Sequence, residues 1–105
     1  MMAKTLIYQL KAEKDVDRAI DYYKEKSKAL GNQFYNELIK AYSHISDHPA
    51  IGSNRFAYEL NIPNLKTWAL TDFPYIIFYI EKAEYIHIYR VLHSRQQIPS
   101  WMFES

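Results

Sequence analysis

The stretch from Phe73 to Arg95 decides the fold, and it reads FPYIIFYIEKAEYIHIYRVLHSR. Two apolar runs rich in Tyr, Ile and Phe flank a charged turn at residues 81–84. Each run is too short for a helix and too rich in β-branched and aromatic residues, so the pattern predicts a β-hairpin. Both runs are apolar at odd and even positions alike, which is typical of strands that are covered on both faces. We therefore expect the hairpin to form the centre of the sheet.

The chain before the hairpin begins with a predicted strand and a predicted helix. Thr5 to Leu10 is a short β-rich run, which predicts the first strand. Apolar residues then recur every three or four positions, as on one face of a helix, from Ala12 to about Ala29. A break is expected at Leu30-Gly31-Asn32, because glycine readily takes the left-handed conformation that closes a helix.

A second helix and two further strands are predicted between this break and the hairpin. The second helix ends at Asp47-His48-Pro49, because the residue before a proline avoids the helical conformation. Alternating apolar residues predict strands at Phe56–Leu60 and Leu65–Leu70. The predicted order is β-α-α-β-β-β-β, an α+β fold in which a two-helix hairpin packs on one face of a mostly antiparallel twisted sheet. Residues 98–105 form either a helical turn or an extended tail.

Composition and charge exclude several classes of protein. The chain has 105 residues, 49% of them hydrophobic, a net charge of +1 and no cysteine. This size predicts a single domain over residues 1–105, and the lack of a long apolar segment predicts no membrane span and a cytoplasmic location. Without cysteine there is no disulfide, thiolate metal site or Cys nucleophile. His44 and His48 have a spacing that can hold a metal, but no third ligand is evident, so we predict no metal and no cofactor.

Acidic and basic residues are both spread along the chain, except in one segment. No acidic residue lies between Glu84 and Glu104, whereas this segment contains His87, Arg90, His93 and Arg95. We expect positive potential at the end of the last strand, where a rigid element can present side chains to a ligand. Arg90 could act there or pair with a carboxylate on a helix, and residue patterns leave both roles open.

Several motifs resemble those of a known family. Val-Leu-His-Ser-Arg at 91–95, after Phe-Pro-Tyr-x-Ile-x-Tyr at 73–79, resembles the RelE/ParE superfamily of toxins from bacterial type II toxin–antitoxin systems, and more closely its ParE branch. The resemblance extends to four earlier motifs, in the expected order: Ala12-Glu13-Lys14-Asp15, Ala19-Ile20-Asp21-Tyr22-Tyr23, Leu30-Gly31 and His48-Pro49-x-x-Gly52.

The resemblance implies a function and partners. A ParE-like toxin would arrest growth by binding and inhibiting DNA gyrase, and a cognate antitoxin protein would neutralise it by covering the apolar groove between the helix hairpin and the sheet. The predicted target-binding residues are Arg90, His93, Arg95 and Trp101. The resemblance leaves both a homodimer and a toxin–antitoxin hetero-oligomer open.

Two alternatives within the same superfamily remain. One is a RelE-like endoribonuclease that cleaves mRNA on the ribosome, with Lys66, Arg90, His93 and Arg95 as catalytic residues that stabilise charge and move a proton. The other is a degenerate binding module without toxicity. Lys66 stands where the superfamily usually has Arg, and Asp72 stands where it commonly has a basic residue. Both differences weaken a phosphate-binding site, so they argue against RNA cleavage and keep the non-toxic binding module open.

Overall fold

The computed structural model describes residues 3–103, apart from the side chains of residues 100 and 101. The elements in chain order are β1 (Thr5–Tyr8), α1 (Leu10–Lys26), α2 (Lys28–Asp47), a 3₁₀ turn (Pro49–Ile51), α3 (Arg55–Glu59), β2 (Leu65–Ala69), β3 (Tyr75–Glu81), β4 (Tyr85–His93) and a C-terminal 3₁₀ turn (Ser100–Phe103). The predicted α+β class is confirmed, with α1 and α2 packed together on one face of the sheet.

The predicted hairpin forms the centre of the sheet. The strand order is β1-β4-β3-β2, in which β1 pairs with β4 in parallel and the other pairs are antiparallel. One face of β3 and β4 packs against α1 and α2. The other face packs against α3 and the C-terminal turn, where Phe103 contacts Phe78 with ring centroids 5.1 Å apart. Cover on both faces is what the unbroken apolar runs predict.

A β-bulge interrupts β4 at Tyr89. Ile88 pairs with Tyr79, but the next residue of β3, Phe78, pairs with Arg90. The extra residue on β4 reverses which positions face the helices, so that Ile88 and Val91 both do. Without the bulge, Arg90 would continue the apolar face on which Ile88 lies.

The junction between the two helices differs from the predicted one. The break lies at Ser27, whose Oγ accepts a hydrogen bond from the N–H of Leu30 at 3.0 Å and so caps α2. Gly31 lies inside the first turn of α2, where a Cβ would stand 2.5 Å from Lys24 Cγ of α1. The prediction of a break at Gly31 was wrong because this glycine permits a close helix contact and does not end a helix.

The predicted strand at Phe56–Leu60 is also wrong. Residues Arg55–Glu59 form α3, and Phe56, Ala57 and Leu60 pack against the second face of the sheet. Five residues with alternating apolar side chains also place apolar groups one and four positions apart, which suits one face of a short helix. The sheet therefore has four strands among the described residues.

The loop before α3 is fixed by the buried Tyr79. The Tyr79 hydroxyl donates a hydrogen bond to the Pro49 carbonyl at 2.8 Å. A Cβ at Gly52 would collide with the same hydroxyl, so only glycine fits there without displacement. Burial raises the pKa of Tyr79 to about 12. The close approach of Tyr79 thus explains the glycine at position 52.

Candidate functional site

A groove of about 450 Å³ opens where β4 ends against α1. We call it the strand-end groove. Its polar and aromatic lining residues are Asp15, Arg18, Tyr22, Tyr75, Arg90, His93 and Gln96.

The floor of the strand-end groove is a buried ion pair. Asp15 is 5% exposed and Arg90 is 8% exposed. Arg90 Nε donates to Asp15 Oδ2 at 2.7 Å, and Arg90 Nη2 donates to Asp15 Oδ1 at 2.8 Å. This two-pronged hydrogen bond raises the pKa of Arg90 above its already high ordinary value. Both side chains are therefore charged and fixed in orientation.

The ion pair occupies an edge of the sheet that β1 leaves open. The last residue of β1, Tyr8, pairs with Ile88, and beyond that point no described strand pairs with this edge of β4. Asp15 Oδ2 takes the place of a strand there by accepting the N–H of Val91 at 3.1 Å. Arg90 Nη1 donates to the carbonyl of Met102 at 2.7 Å. One guanidinium thus joins α1, β4 and the C-terminal turn.

Arg18 brings a second cation to the same carboxylate. Its Nη2 donates to Asp15 Oδ1 at 2.9 Å, but its side chain is 74% exposed. An exposed pair of this kind contributes little to stability, so Arg18 can turn towards an incoming anion at small cost. Two guanidinium groups share one carboxylate, which leaves the groove with surplus positive charge.

His93 lines the outer end of the groove, and Arg95 is exposed two residues further along the chain. β4 extends to His93, whose Nδ1 accepts the backbone N–H of Arg95 at 3.1 Å. A ring that accepts at Nδ1 carries its donor proton on Nε2. His93 packs edge-on against Tyr75 with ring centroids 5.2 Å apart. Burial, and to a lesser extent the neighbouring Tyr22, raises the pKa of Tyr75, so its hydroxyl stays protonated.

The predicted site residues fall in three places. Arg90 and His93 pair with residues on opposite faces of β3, as their spacing predicts, yet both line the groove because the long Arg90 side chain lies at the sheet edge. Of the two roles that the sequence left open for Arg90, the structure shows the second, because Arg90 pairs with the carboxylate of Asp15 on α1. Lys66 of β2 pairs with Tyr79 of β3, and Tyr79 pairs with Ile88 of β4. Because Ile88 lies five residues before His93 on β4, Lys66 is not brought to the groove. The Trp101 side chain lies outside the described part of the chain.

Comparison with known proteins identifies the family. A family model described as the ParE toxin of the type II toxin-antitoxin system, parDE, matches residues 6–98. The chain belongs to the ParE toxin family. A chain from the chromosomal ParDE TA system of P. aeruginosa has the same fold: the TM-score is 0.72 at 17% sequence identity, over 87% of this chain and 96% of that chain. No curated protein matches the sequence. The predicted resemblance is confirmed for the ParE branch, and a ParDE toxin implies an antitoxin as its partner.

The sequence interpretation of this ParE-family chain did not single out Asp15 as a site residue. The signal was nonetheless present. Asp15 stands three residues after Ala12 and four before Ala19, and both alanines lie on the buried side of α1. An acid inside an apolar helix stripe and an arginine inside an apolar strand have a common explanation, because buried charges need partners. Arg18, one turn after Asp15, joins the same cluster.

The two histidines considered for a metal lie at the end of α2. His44 stacks on Trp68 of β2 with ring centroids 5.9 Å apart and an interplanar angle of 11°. The backbone N–H of His48 donates to the His44 carbonyl at 2.8 Å and closes the end of α2. Across residues 3–103, no three side chains of metal-ligating type come together, and no helix has the length and apolar character needed to cross a bilayer.

Proposed function

We propose that this protein is the toxin of a type II toxin–antitoxin pair and that it arrests bacterial growth by binding DNA gyrase. The match of the ParE family model to residues 6–98 carries the proposal. The matched segment runs from β1 to the residues beyond β4, so it includes both walls of the strand-end groove.

The chemistry of the strand-end groove supports a role in target binding. Asp15 already accepts four N–H groups, from Arg18, Arg90 and the Val91 backbone. The exposed donors in this part of the molecule include the Arg18 guanidinium in the groove and Arg95, which follows β4. Surplus donors and positive charge suit a surface that carries carboxylates or phosphates.

The predicted target-binding residues take different parts in this proposal. His93 and Arg95 contact the target directly, and Trp101 contributes from the C-terminal turn. Arg90 acts indirectly, since its hydrogen bonds to Asp15 and Met102 hold the floor of the groove and the C-terminal turn in one arrangement. Arg90 is thus a positioning residue.

A supercoiling assay with purified gyrase tests the proposed target. The protein should inhibit supercoiling, and the double substitution His93→Ala/Arg95→Ala should weaken inhibition about tenfold, because it removes a side chain that lines the groove and an exposed cation two residues further along the chain. Arg55→Ala is the matched control, since Arg55 is an exposed arginine of α3 that pairs with Glu59 and does not line the groove. Equal inhibition by all three proteins would refute the role of the groove.

Two further outcomes separate the target from the class of protein. Growth arrest on induced expression without any effect on gyrase would refute gyrase as the target. Cleavage of mRNA in a translation extract would then identify the ribonuclease alternative. Unimpaired growth, together with unaffected gyrase, would refute toxicity itself and leave a binding module.

Neutralisation by a cognate antitoxin is the second part of the proposal. Membership of a ParDE family implies such a partner. Co-expression with the protein encoded next to this gene should restore growth. Continued arrest with both proteins present as a complex would show that the antitoxin binds without neutralising.

A further inference from the structure

The carboxylate of Asp15 accepts one hydrogen bond that it does not need in order to stay paired. Its Oδ1 accepts from Arg90 Nη2 at 2.8 Å and from Arg18 Nη2 at 2.9 Å. Its Oδ2 accepts from Arg90 Nε at 2.7 Å and from the Val91 N–H at 3.1 Å. If Arg18 turned away, each oxygen would still accept a hydrogen bond, and Arg90 would still balance the charge of Asp15. Arg18 can therefore change its partner without leaving a buried charge unpaired.

Exposure separates the two arginines of the strand-end groove. The Arg90 side chain is 9% exposed and also donates to the Met102 carbonyl, so it is fixed between α1 and the C-terminal turn. The Arg18 side chain is 74% exposed and donates to Asp15 through Nη2. Its other N–H groups can form the planar fork that binds both oxygens of a carboxylate.

The charge of the groove matches a ligand with one negative charge. Arg18, Arg90 and Asp15 line it, so two positive charges and one negative charge leave a net charge of +1. The side chains of Tyr22, Tyr75 and Gln96 line the same groove and add uncharged hydrogen-bonding groups. A single carboxylate would balance this charge and meet several donors.

The exposed charges around Arg18 on α1 do not suit a nucleic acid. Duplex DNA carries one negative charge per ~1.7 Å of its axis, so a protein binds it with several cations along its backbone. The exposed residues near Arg18 on α1 have both signs, since Lys14 lies one turn before it, Asp17 lies next to it and Asp21 lies one turn after it. A row of phosphates that reached Arg18 would therefore meet two carboxylates.

We propose that Arg18 is a contact residue for the target, and that on binding it exchanges Asp15 for one Asp or Glu side chain of the target protein, which enters the strand-end groove. This inference rests on the proposed function, because it names the group that the toxin recognises on its target. Arg18 gives up one hydrogen bond to Asp15 and gains two parallel hydrogen bonds to the incoming carboxylate. Asp15 remains paired with Arg90 throughout.

Substitutions at Arg18 test the exchange in the gyrase supercoiling assay. Arg18→Gln removes the charge and should weaken inhibition about tenfold, whereas Arg18→Lys keeps the charge without the fork and should weaken it about threefold. Arg55→Gln is the matched control, because Arg55 is also an exposed helix arginine in an ion pair, but it lies outside the groove. Its inhibition should change less than about twofold. Thermal unfolding should be nearly unchanged in all three variants, since both ion pairs are exposed.

A titration with small probes tests the groove without the target. The probes are the capped amino acids Ac-Glu-NH2 and Ac-Gln-NH2, which differ in one charge, and a short DNA duplex. In nitrogen-15 NMR spectra, Ac-Glu-NH2 should shift the Arg18 Nε–H signal with a Kd on the order of millimolar, and Ac-Gln-NH2 should not. The Arg18→Gln variant identifies that signal by its loss. Equal shifts with both capped amino acids, or no shift with Ac-Glu-NH2, would refute the carboxylate site.

The remaining outcomes distinguish this proposal from the proposed function. If Arg18→Gln inhibits gyrase as strongly as the parent protein, Arg18 does not contact the target and the proposal falls, although gyrase remains the target. If the DNA duplex shifts the Arg18 signal at lower concentration than Ac-Glu-NH2 does, the groove binds nucleic acid and the proposal also falls. If the parent protein does not inhibit gyrase, the proposed target is wrong, and the probe titration still decides whether the groove binds a carboxylate.

Discussion

The β3–β4 hairpin is joined to the N-terminal part of the chain by an ion pair at each end. The two pairs differ in how much of their side chains is exposed to solvent. Near the turn, Lys4 Nζ lies 2.6 Å from Glu81 Oε2, and the side chains are 30% and 32% exposed. At the other end, Arg90 Nε lies 2.7 Å from Asp15 Oδ2, and the side chains are 9% and 3% exposed. The distances are nearly equal, so burial decides the difference in energy. Water screens the first pair, whereas the second leaves an uncompensated buried charge if either partner is lost.

The largest effect is expected from Asp15→Ala. Arg90 would remain buried without a counter-charge, and the Val91 N–H would lose its acceptor. The free energy of unfolding should fall by about 3–5 kcal/mol, as measured by urea denaturation. If Asp15→Ala costs no more than Glu81→Ala, burial does not distinguish the two ends of the hairpin.

A smaller loss is expected from Arg90→Lys, which keeps the charge but removes the planar fork. A lysine cannot donate to both Asp15 oxygens and to the Met102 carbonyl at once, so the free energy of unfolding should fall by about 2 kcal/mol. Hydrogen exchange should also become faster at the Met102 N–H, which donates to Pro99. Unchanged exchange there would show that the C-terminal turn is held without the guanidinium. Lys4→Arg is the matched control, because the side chains of the Lys4–Glu81 pair are about one-third exposed.

The hydrogen bond of the uncharged Tyr79 hydroxyl on β3 should stabilise the fold by an amount between those of the two ion pairs. Tyr79→Phe removes the donor to Pro49 and should cost about 1 kcal/mol at neutral pH. The pKa of Tyr79 is about 12 in the folded chain, above its ordinary 10.0, so the unfolded chain loses this proton first. The contribution of the Tyr79 hydroxyl to the free energy of unfolding is therefore fully present below pH 10.0 and is lost as the pH rises towards 12. The variant should lack this part of the decline, and an unchanged decline in urea denaturation above pH 10.0 would contradict the burial of the hydroxyl.

The smallest effect is expected at the exposed pair. Glu81→Ala should lower the free energy of unfolding by less than about 1 kcal/mol, and salt should remove most of that difference. Urea denaturation at low and high ionic strength measures it. A loss as large as that of Asp15→Ala would show that the Lys4–Glu81 pair stabilises the fold as much as the buried Asp15–Arg90 pair does.

The central hairpin was predictable because burial on both faces leaves a direct mark on a sequence. Two apolar runs without polar alternation, separated by a short charged turn, fit few other structures. The local errors have a different origin. A glycine can end a helix or admit a neighbouring one, and Gly31 does the second because Lys24 of α1 lies against it. That choice depends on the packing of another element, which the local sequence does not contain.

The position of the candidate groove could be predicted from the sequence, but its details could not. The basic segment pointed to the end of β4, and His93 lines the groove that opens there. The bulge at Tyr89 has no clear sequence signal, and it is what moves Arg90 off the helix-facing positions of β4. The partner of Arg90 lies 75 residues earlier in the chain, so the pairing emerges only when α1 packs against β4.

The parallel pairing of β1 with β4 joins the first described strand to the last. Thr5 pairs with Tyr85, about 80 residues later in the chain. At a synthesis rate of ~5–20 residues per second, a ribosome needs on the order of ten seconds to supply that partner. During this interval α1 exists without β4, and the strand-end groove has only one wall. The order of translation thus delays the assembly of the site until synthesis of the domain is nearly finished.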